Sequence, residues 1–115
     1  MKCIQLVASD IDGTLLLNGA KALDPEIFKL IRELHKKGIL FMAASGREYT
    51  NLRNLFAPVA DDIAFLCLNG CLTLYQNECI SKEIMDTTVA RKLIITIQND
   101  PNAEVLVSGE RTCYI

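Results

Sequence analysis

Residues 3–16, CIQLVASDIDGTLL, carry an apolar segment that ends in two carboxylates two positions apart. The segment CIQLVAS, over residues 3–9, is apolar enough to predict a mostly buried β-strand. Asp10 and Asp12 follow at its end, and Gly13 predicts a turn. Two carboxylates this close repel each other unless a cation lies between them or one of them holds a proton. The stretch therefore predicts a functional site where a buried strand ends.

Residues 17–70 alternate between helix and strand patterns. Asp24-Pro25 and Gly38 are typical boundaries of the amphipathic helix that lies between them. Apolar strands are predicted over residues 39–44 and 63–68, with a second helix over residues 47–59 that stops near Pro58. Continuous apolar strands that alternate with amphipathic helices predict a parallel sheet covered on both faces.

After residue 70 the pattern changes. The stretch CLTLYQNECISKEI, over residues 71–84, has two alternating segments around Gln76-Asn77 and predicts a hairpin. The stretch DTTVARKLIITIQND, over residues 86–100, predicts a helix capped by Asp86, although Thr, Val and Ile are modest helix formers. One or two strands are predicted over residues 103–115. The predicted fold class is α/β, with a Rossmann-like parallel sheet flanked by helices and followed by a hairpin and an α+β segment.

The composition excludes several classes of protein. The 115 residues are typical of one small domain. The net charge is −2 and the charges of both signs are mixed along the chain, so no basic patch that would bind nucleic acid or a membrane surface is predicted. The apolar runs are too short to span a bilayer, and Asp10 interrupts the N-terminal run before the apolar region of a secretory signal could form. We therefore expect a cytoplasmic protein without nucleic-acid or membrane partners.

The five cysteines do not form a recognisable metal or disulfide pattern. Their number is odd and no C-x-x-C spacing occurs. Cys67 and Cys71 are four residues apart, but no histidine is near enough in the sequence to complete a zinc site. The cysteines are predicted to be reduced structural thiols, since buried cysteine behaves as a small hydrophobic residue.

Three polar clusters follow the three predicted parallel strands. They are Asp10 with Asp12, Ser45-Gly46-Arg47, and Asn69-Gly70. Ligands bind beyond the carboxyl ends of the strands in open parallel sheets, so we expect these clusters to meet. The carboxylate oxygens suit Mg²⁺, and an ionised aspartate can act as a nucleophile. A second aspartate can act as general acid and base, while a hydroxyl and helix-start N–H groups can hold phosphate.

Each cluster also has a simpler interpretation. Asp-x-Asp-Gly occurs in turns and in calcium loops, although no downstream Glu completes an EF-hand loop here. Ser45-Gly46-Arg47 is also typical of a helix cap and turn. Asn69-Gly70 is equally compatible with a plain turn. The residues alone leave these alternatives open.

The segment DIDGTLL, residues 10–16, resembles the D-x-D-G-T motif that begins haloacid dehalogenase-like (HAD) phosphohydrolases. The segment AASGR, residues 43–47, is similar to their second motif, a strand that ends in Ser or Thr. The segment NGC at residues 69–71 and the hairpin after it are most similar to the Cof-type subfamily, which carries a C2-type cap. The resemblance extends over residues 1–90.

The resemblance implies a role for each residue of the site. Asp10 would be the nucleophile and a Mg²⁺ ligand. Asp12 would be the general acid and base, with its backbone carbonyl on the metal. Ser45 would hold the transferring phosphoryl group, and Arg47 and Asn69 would line the substrate side. The implied phosphate-binding set is Gly13, Ser45, Gly46, Arg47 and Asn69.

The implied function is a Mg²⁺-dependent phosphomonoester hydrolase that acts on a small phosphorylated metabolite through an aspartyl-phosphate. Residues 1–85 would form part of the HAD core, and residues 86–115 the start of the cap. A non-catalytic module of the same fold, which binds phosphate or a partner, is an alternative, and a phosphomutase is another.

Two motifs of the family have no counterpart here. They are a lysine that braces the phosphoryl group, and a Gly-Asp followed by a further Asp that completes the metal site. Asp61-Asp62 precedes the third strand, so it is predicted to lie at the opposite edge of the sheet. The chain thus resembles the first half of a phosphatase. Without the strands that pair beside it in the family, the first strand would be an exposed edge, which predicts either self-association or a fragment cut from a longer protein.

Overall fold

The computed structural model describes residues 2–115, and its elements follow the predicted order. They are β1 (Leu6–Asp10), α1 (Pro25–Lys36), β2 (Leu40–Ala44), α2 (Tyr49–Leu55), a 3-10 helix (Ala57–Asp62), β3 (Ala64–Cys67), a single 3-10 turn (Leu68–Gly70), β4 (Leu72–Tyr75), β5 (Glu78–Lys82), α3 (Thr87–Gln98), β6 (Val107–Ser108) and β7 (Cys113–Tyr114).

The first five strands form one mixed sheet in the order β1-β2-β3-β4-β5. The pairs β1-β2 and β2-β3 are parallel, whereas β4 and β5 join as an antiparallel hairpin. Asp10 pairs with Ala44, and Ala44 pairs with Leu66, so the carboxyl ends of β1, β2 and β3 lie at one edge. The predicted α/β fold is confirmed, and the hairpin extends the same sheet. Strands β6 and β7 form a separate two-stranded sheet.

The helix boundaries follow from local side-chain chemistry. The carboxylate of Asp24 accepts a hydrogen bond from the backbone N–H of Glu26, which caps α1. Asp86 caps α3 in the same way, as predicted. The second helix is shorter than predicted, since α2 ends at Leu55 and the chain continues as a separate 3-10 helix. Pro58 has no N–H to continue an α-helical ladder, which accounts for the break.

The hydrophobic core lies on one face of the sheet and is centred on Phe56. This ring is fully buried, and its centroid lies 5.9 Å from that of Phe41 and 6.5 Å from those of Phe65 and Phe28. Such edge and tilted arrangements stabilise aromatic clusters beyond their burial alone. Six of the seven buried strand residues share this face, and the seventh, Ala64, lies on the other; the six are Phe41, Ala43, Phe65, Cys67, Leu72 and Leu74.

The opposite face of the sheet and the outer edge of β1 are more exposed than predicted. Leu6 is 47% exposed and Ile4 is 71% exposed. The prediction of a mostly buried first strand is therefore wrong, because β1 pairs only with β2 and its outward side chains have nothing packed over them within residues 2–115. Helices cover one face of the sheet rather than the predicted two. The prediction that β1 would be an exposed edge is confirmed.

Candidate active site

Main-chain hydrogen bonds join the ends of β2 and β3. The N–H of Ser45 donates to the carbonyl of Leu66 at 2.9 Å, and the N–H of Asn69 donates to the carbonyl of Ser45 at 3.2 Å. The N–H of Leu68 donates to the carbonyl of Arg47 at 3.1 Å. These bonds bring the second and third polar clusters together, as the sequence predicted.

Asp10 is the last residue of β1, and its carboxylate is oriented by the loop that follows. Thr14 Oγ1 donates to Asp10 Oδ2 at 3.0 Å. The loop closes because the N–H groups of Thr14, Leu15 and Leu16 all donate to the carbonyl of the buried Ile11. Gly13 has φ +82°, a conformation that favours glycine at this turn. The first motif is thus a closed loop that presents an exposed carboxylate.

Asp12 forms a bidentate ion pair with Arg47. Arg47 Nη2 lies 2.6 Å from Asp12 Oδ1, and Arg47 Nε lies 2.9 Å from Asp12 Oδ2. The side chain of Asp12 is 57% exposed and that of Arg47 is 31% exposed. The hydrogen bonds from the guanidinium lower the pKa of Asp12 below its ordinary value, and the same bonds raise the pKa of Arg47. The pair connects the first polar cluster to the second.

Arg47 is held from two further directions. Its Nη1 donates to Asn51 Oδ1 at 2.8 Å, one helical turn along the chain. Its backbone N–H donates to Ser45 Oγ at 3.1 Å. Ser45 is 8% exposed and is the only buried polar residue within residues 2–115. A buried hydroxyl at a strand end can donate its proton to an incoming anion while it accepts this N–H.

Asn69 lies in a strained turn against Gly46. Leu68, Asn69 and Gly70 have φ values of 51°, 55° and 97°. Left-handed backbone is unfavourable at a bulky residue such as Leu68 and is often found at functional sites. A Cβ atom on Gly46 would lie 3.0 Å from Asn69 Oδ1, so any larger residue here would require the Asn69 side chain to move by a few tenths of an ångström.

The structure brings the predicted site residues to one edge and leaves the excluded carboxylates elsewhere. Asp61 and Asp62 lie at the amino end of β3, as predicted. Asp61 pairs with Arg53 at 2.9 Å, and Asp62 Oδ1 lies 3.8 Å from His35 Nε2. These contacts are structural and do not involve the site.

The oxygen atoms at this edge are of the kind that binds a magnesium ion. No group of three or more His, Cys, Asp or Glu side chains suited to a metal occurs within residues 2–115. Mg²⁺, however, is usually held by one or two carboxylates together with water and substrate phosphate. The exposed carboxylate of Asp10 and the backbone carbonyl of Asp12 are hard oxygen donors of this type.

Comparison with known proteins gives the family. Residues 7–115 match the model of the haloacid dehalogenase-like hydrolases. The chain belongs to this family. The assignment that the first two motifs suggested, including its Cof-type character, is therefore confirmed.

Several HAD relatives are similar over most of the chain. A phosphoglycolate phosphatase of Sulfolobus acidocaldarius is 33% identical over 84% of the chain and 41% of its own length. A 5-amino-6-(5-phospho-D-ribitylamino)uracil phosphatase of Escherichia coli is 27% identical over 96% of the chain and 41% of its own length. A crystal structure of a Streptococcus mutans protein superposes with a TM-score of 0.85 at 27% identity, over 98% of the chain and 43% of that protein. The chain spans about two fifths of the length of these curated relatives.

A cavity of about 730 Å³ adjoins this HAD site. Gly46 and Asn69 line it on the side of the candidate site. The apolar side chains of α3 and the segments beside it form much of the remaining wall, namely Ile84, Met85, Leu93, Ile94, Ile97, Val105, Leu106 and Val107. The sequence patterns did not predict this cavity, because it is formed between the sheet and a segment far along the chain.

Two residues of the HAD site were missed from the sequence. Thr14 orients Asp10, and its position four residues after Asp10 in the motif was the available signal. Asn51 braces Arg47, and the signal was the i, i+4 spacing on a predicted helix. Both act on the site residues through single hydrogen bonds.

The remaining features are consistent with a reduced globular protein. The five cysteines are unpaired, and burial raises the pKa of the Cys67 thiol to about 11. Within residues 2–115, none of the α-helices combines the length and the apolar character that crossing a bilayer requires.

Proposed function

We propose that this chain carries the nucleophile and the acid–base residue of a Mg²⁺-dependent phosphomonoester hydrolase. The observation that carries the proposal is the meeting of three strand ends. The carboxylate of Asp10, oriented by Thr14, lies at the same edge as the buried hydroxyl of Ser45 and the Asp12–Arg47 pair. This set combines a nucleophile, an acid–base group and donors for an anion.

In this proposal Asp10 is the nucleophile. A carboxylate needs no separate base to act as a nucleophile. A carboxylate oxygen of Asp10 forms a bond to phosphorus as the bond from phosphorus to the leaving oxygen breaks, which gives an aspartyl-phosphate. A bound Mg²⁺ would offset the repulsion between the carboxylate and the phosphate dianion.

Asp12 transfers the protons in this scheme. It donates a proton to the leaving oxygen in the first step and takes a proton from water in the second. The oxygen of that water then attacks phosphorus, which releases inorganic phosphate and regenerates the carboxylate of Asp10. Ser45, Gly46 and Gly13 supply hydroxyl and N–H donors near the phosphoryl oxygens, and Asn69 lies on the substrate side.

We propose a small phosphorylated metabolite as the substrate. Two of the curated relatives, at 33% and 27% identity to this chain, are named as phosphatases of different small phosphate monoesters. The cavity beside Gly46 and Asn69 is large enough for a group of metabolite size. We also propose a cytoplasmic location, which the five unpaired cysteines support.

The test is hydrolysis of a generic aryl phosphate by residues 1–115, with and without Mg²⁺, beside an Asp10→Asn variant. We expect metal-dependent release of phosphate that the substitution abolishes. Activity that persists in Asp10→Asn would contradict the role of Asp10. Transfer of the phosphoryl group to an added acceptor sugar, in place of release, would identify a phosphomutase.

A non-catalytic phosphate-binding module is the second candidate, and one observation favours it. Residues 2–115 contain no third carboxylate grouped with Asp10 and Asp12. Phosphate binding without turnover by the 115 residues would support this candidate, and full activity on an aryl phosphate would exclude it.

We further propose the division of the chain into residues 1–85 and 86–115. The five-stranded sheet ends at Lys82, and β6 and β7 form a sheet of their own, which supports a boundary between β5 and α3. Limited proteolysis tests it. Cleavage within residues 83–87 is expected before cleavage inside the sheet, and first cleavage inside the sheet would contradict the division.

Finally, we propose that a second copy of the chain pairs with the edge of β1. Strand β1 has one hydrogen-bonded neighbour, and Ile4 and Leu6 are exposed beside its free edge. An apolar edge of this kind favours pairing with another strand. Sedimentation of residues 1–115 is expected to show a dimer that an Ile4→Lys substitution weakens, and a strictly monomeric chain would contradict this proposal.

A further inference from the structure

The ion pair between Asp12 and Arg47 uses both oxygens of the Asp12 carboxylate. Arg47 Nη2 donates to Asp12 Oδ1 at 2.6 Å, and Arg47 Nε donates to Asp12 Oδ2 at 2.9 Å. In the proposed reaction Asp12 exchanges a proton with a substrate oxygen. The guanidinium lies against both Asp12 oxygens, and loss of one of these contacts would leave an oxygen more open to the substrate.

Two of the hydrogen-bond donors on the Arg47 guanidinium are unused within the described residues. Of the five N–H groups of an arginine side chain, two bind Asp12 and one binds Asn51 Oδ1. The other two have no partner within residues 2–115. Arg47 follows the buried Ser45 by two positions, and its backbone N–H donates to Ser45 Oγ. An anion held at Ser45 would thus be close to an arginine with free donors.

The charges favour an exchange of partners. A phosphate monoester brings a charge near −2 and three acceptor oxygens, whereas the carboxylate of Asp12 carries −1 and is 57% exposed to water. Guanidinium binds phosphate in the same bidentate geometry that it uses for carboxylate. A phosphate at Ser45 can bind the two free N–H groups first and then, with its higher charge, compete with Asp12 for the bidentate donors.

We propose that Arg47 changes partners when the substrate binds, and that it moves from Asp12 to the phosphoryl group while Asn51 keeps hold of Nη1. The exchange frees an oxygen of Asp12 only when a phosphate is present. Arg47 is thus a positioning residue for Asp12 as well as a ligand of the substrate. Asn51 shortens the movement, because the guanidinium pivots about a fixed contact. This inference rests on the proposed phosphate site.

The exchange is tested by titrating inorganic phosphate into residues 1–115 at constant Mg²⁺, observed by NMR. The amide signals of Ser45 and Gly46 report phosphate binding, and the Nε–H signal of Arg47 reports the partner of the guanidinium. We expect both sets of signals to shift with the same dissociation constant. The Nε–H signal of Arg53, which pairs with Asp61 far from the site, is the matched reference and is expected to stay unchanged.

Five single substitutions and one double variant separate competition from simple loss of charge. Arg47→Lys keeps the charge but not the fork, and we expect phosphate binding to weaken by about tenfold, while Arg53→Lys leaves it unchanged. Asp12→Asn is expected to tighten phosphate binding several-fold because it releases Arg47. In the Arg47→Lys background that gain is expected to be much smaller. Asn51→Ala is expected to weaken binding, and Asn54→Ala on the same helix is its control.

Two results would overturn the inference while the phosphate site stands. One is saturation of the Ser45 and Gly46 signals without any change at Arg47 Nε–H. The other is an equal gain from Asp12→Asn in both arginine backgrounds, which would indicate only reduced repulsion. If phosphate leaves Ser45 and Gly46 unchanged, the proposed phosphate site is wrong and the exchange is wrong with it.

Discussion

Substitution of Gly46 by alanine tests the packing of the site directly. The backbone at Gly46 is not left-handed, so alanine introduces no backbone strain there. Its Cβ atom would lie 3.0 Å from Asn69 Oδ1 and 3.3 Å from Asn69 Nδ2, against 3.4 Å or more for an ordinary contact. The two groups must separate by a few tenths of an ångström. The side chain of Asn69 is exposed, so it is the part expected to move.

Two opposing effects set the magnitude. Displacement of the Asn69 side chain from its rotamer costs roughly 0.5–1.5 kcal/mol. Replacement of glycine by alanine at a permitted conformation stabilises by about 0.4–1 kcal/mol through the unfolded state. We therefore expect Gly46→Ala alone to change the free energy of unfolding by less than about 1 kcal/mol. In an Asn69→Gly background the clash is absent, and the same substitution is expected to stabilise.

The assay is urea denaturation of the four proteins of this double-mutant cycle. The expected coupling between positions 46 and 69 is about 1 kcal/mol. Glycine is chosen at position 69 because its backbone has φ 55°, where alanine would add strain of its own. An identical effect of Gly46→Ala in both backgrounds would refute the reasoning, since the cost could not then arise from Asn69.

Three further outcomes are expected. Phe56→Ala, which empties the centre of the aromatic cluster, should lower the free energy of unfolding by about 3–5 kcal/mol in a denaturant titration, and a loss below 1 kcal/mol would show that the core does not depend on this ring. Because Arg47 lowers the pKa of Asp12, the pair stabilises the fold above the ordinary pKa of 3.8, and this stabilisation is lost as the pH falls through the lowered value. The difference in the free energy of unfolding between the wild type and Arg47→Met, measured against pH, should therefore close only below pH 3.8. A difference that stays constant down to complete protonation would contradict this. In native protein a thiol reagent should label Cys3, Cys71, Cys79 and Cys113 well before Cys67, whose thiol is buried and has a pKa of about 11, and early labelling of Cys67 would contradict its burial.

Local patterns were sufficient for most of the chain. Asp24 and Asp86 cap their helices through bonds to the next turn, which depend only on neighbouring residues. The hairpin formed at Gln76-Asn77 because both residues accept positive φ, with values of 51° and 63°. Elements defined by short-range contacts can be predicted from short stretches, because the interactions that form them lie within those stretches.

The burial of β1 could not be predicted in the same way. The apolar segment over residues 3–9 is typical of a strand with neighbours on both sides, yet β1 pairs only with β2 and leaves Leu6 exposed. A hydrophobic pattern indicates the surroundings that a strand favours. Its actual burial depends on which other strands and helices pack against it.

The sequence by itself determined the family and the positions of Asp10, Asp12 and Ser45 at the ends of strands. Parallel strands share an edge, so a one-dimensional pattern was enough to predict that these residues would meet. Only the tertiary structure decided how they are connected. The bidentate pair between Asp12 and Arg47 joins residues 35 positions apart, and the contact of Gly46 with Asn69 joins two separate strand ends. Such contacts depend on distances of a few ångströms between elements, and these are set by the packing of the whole sheet.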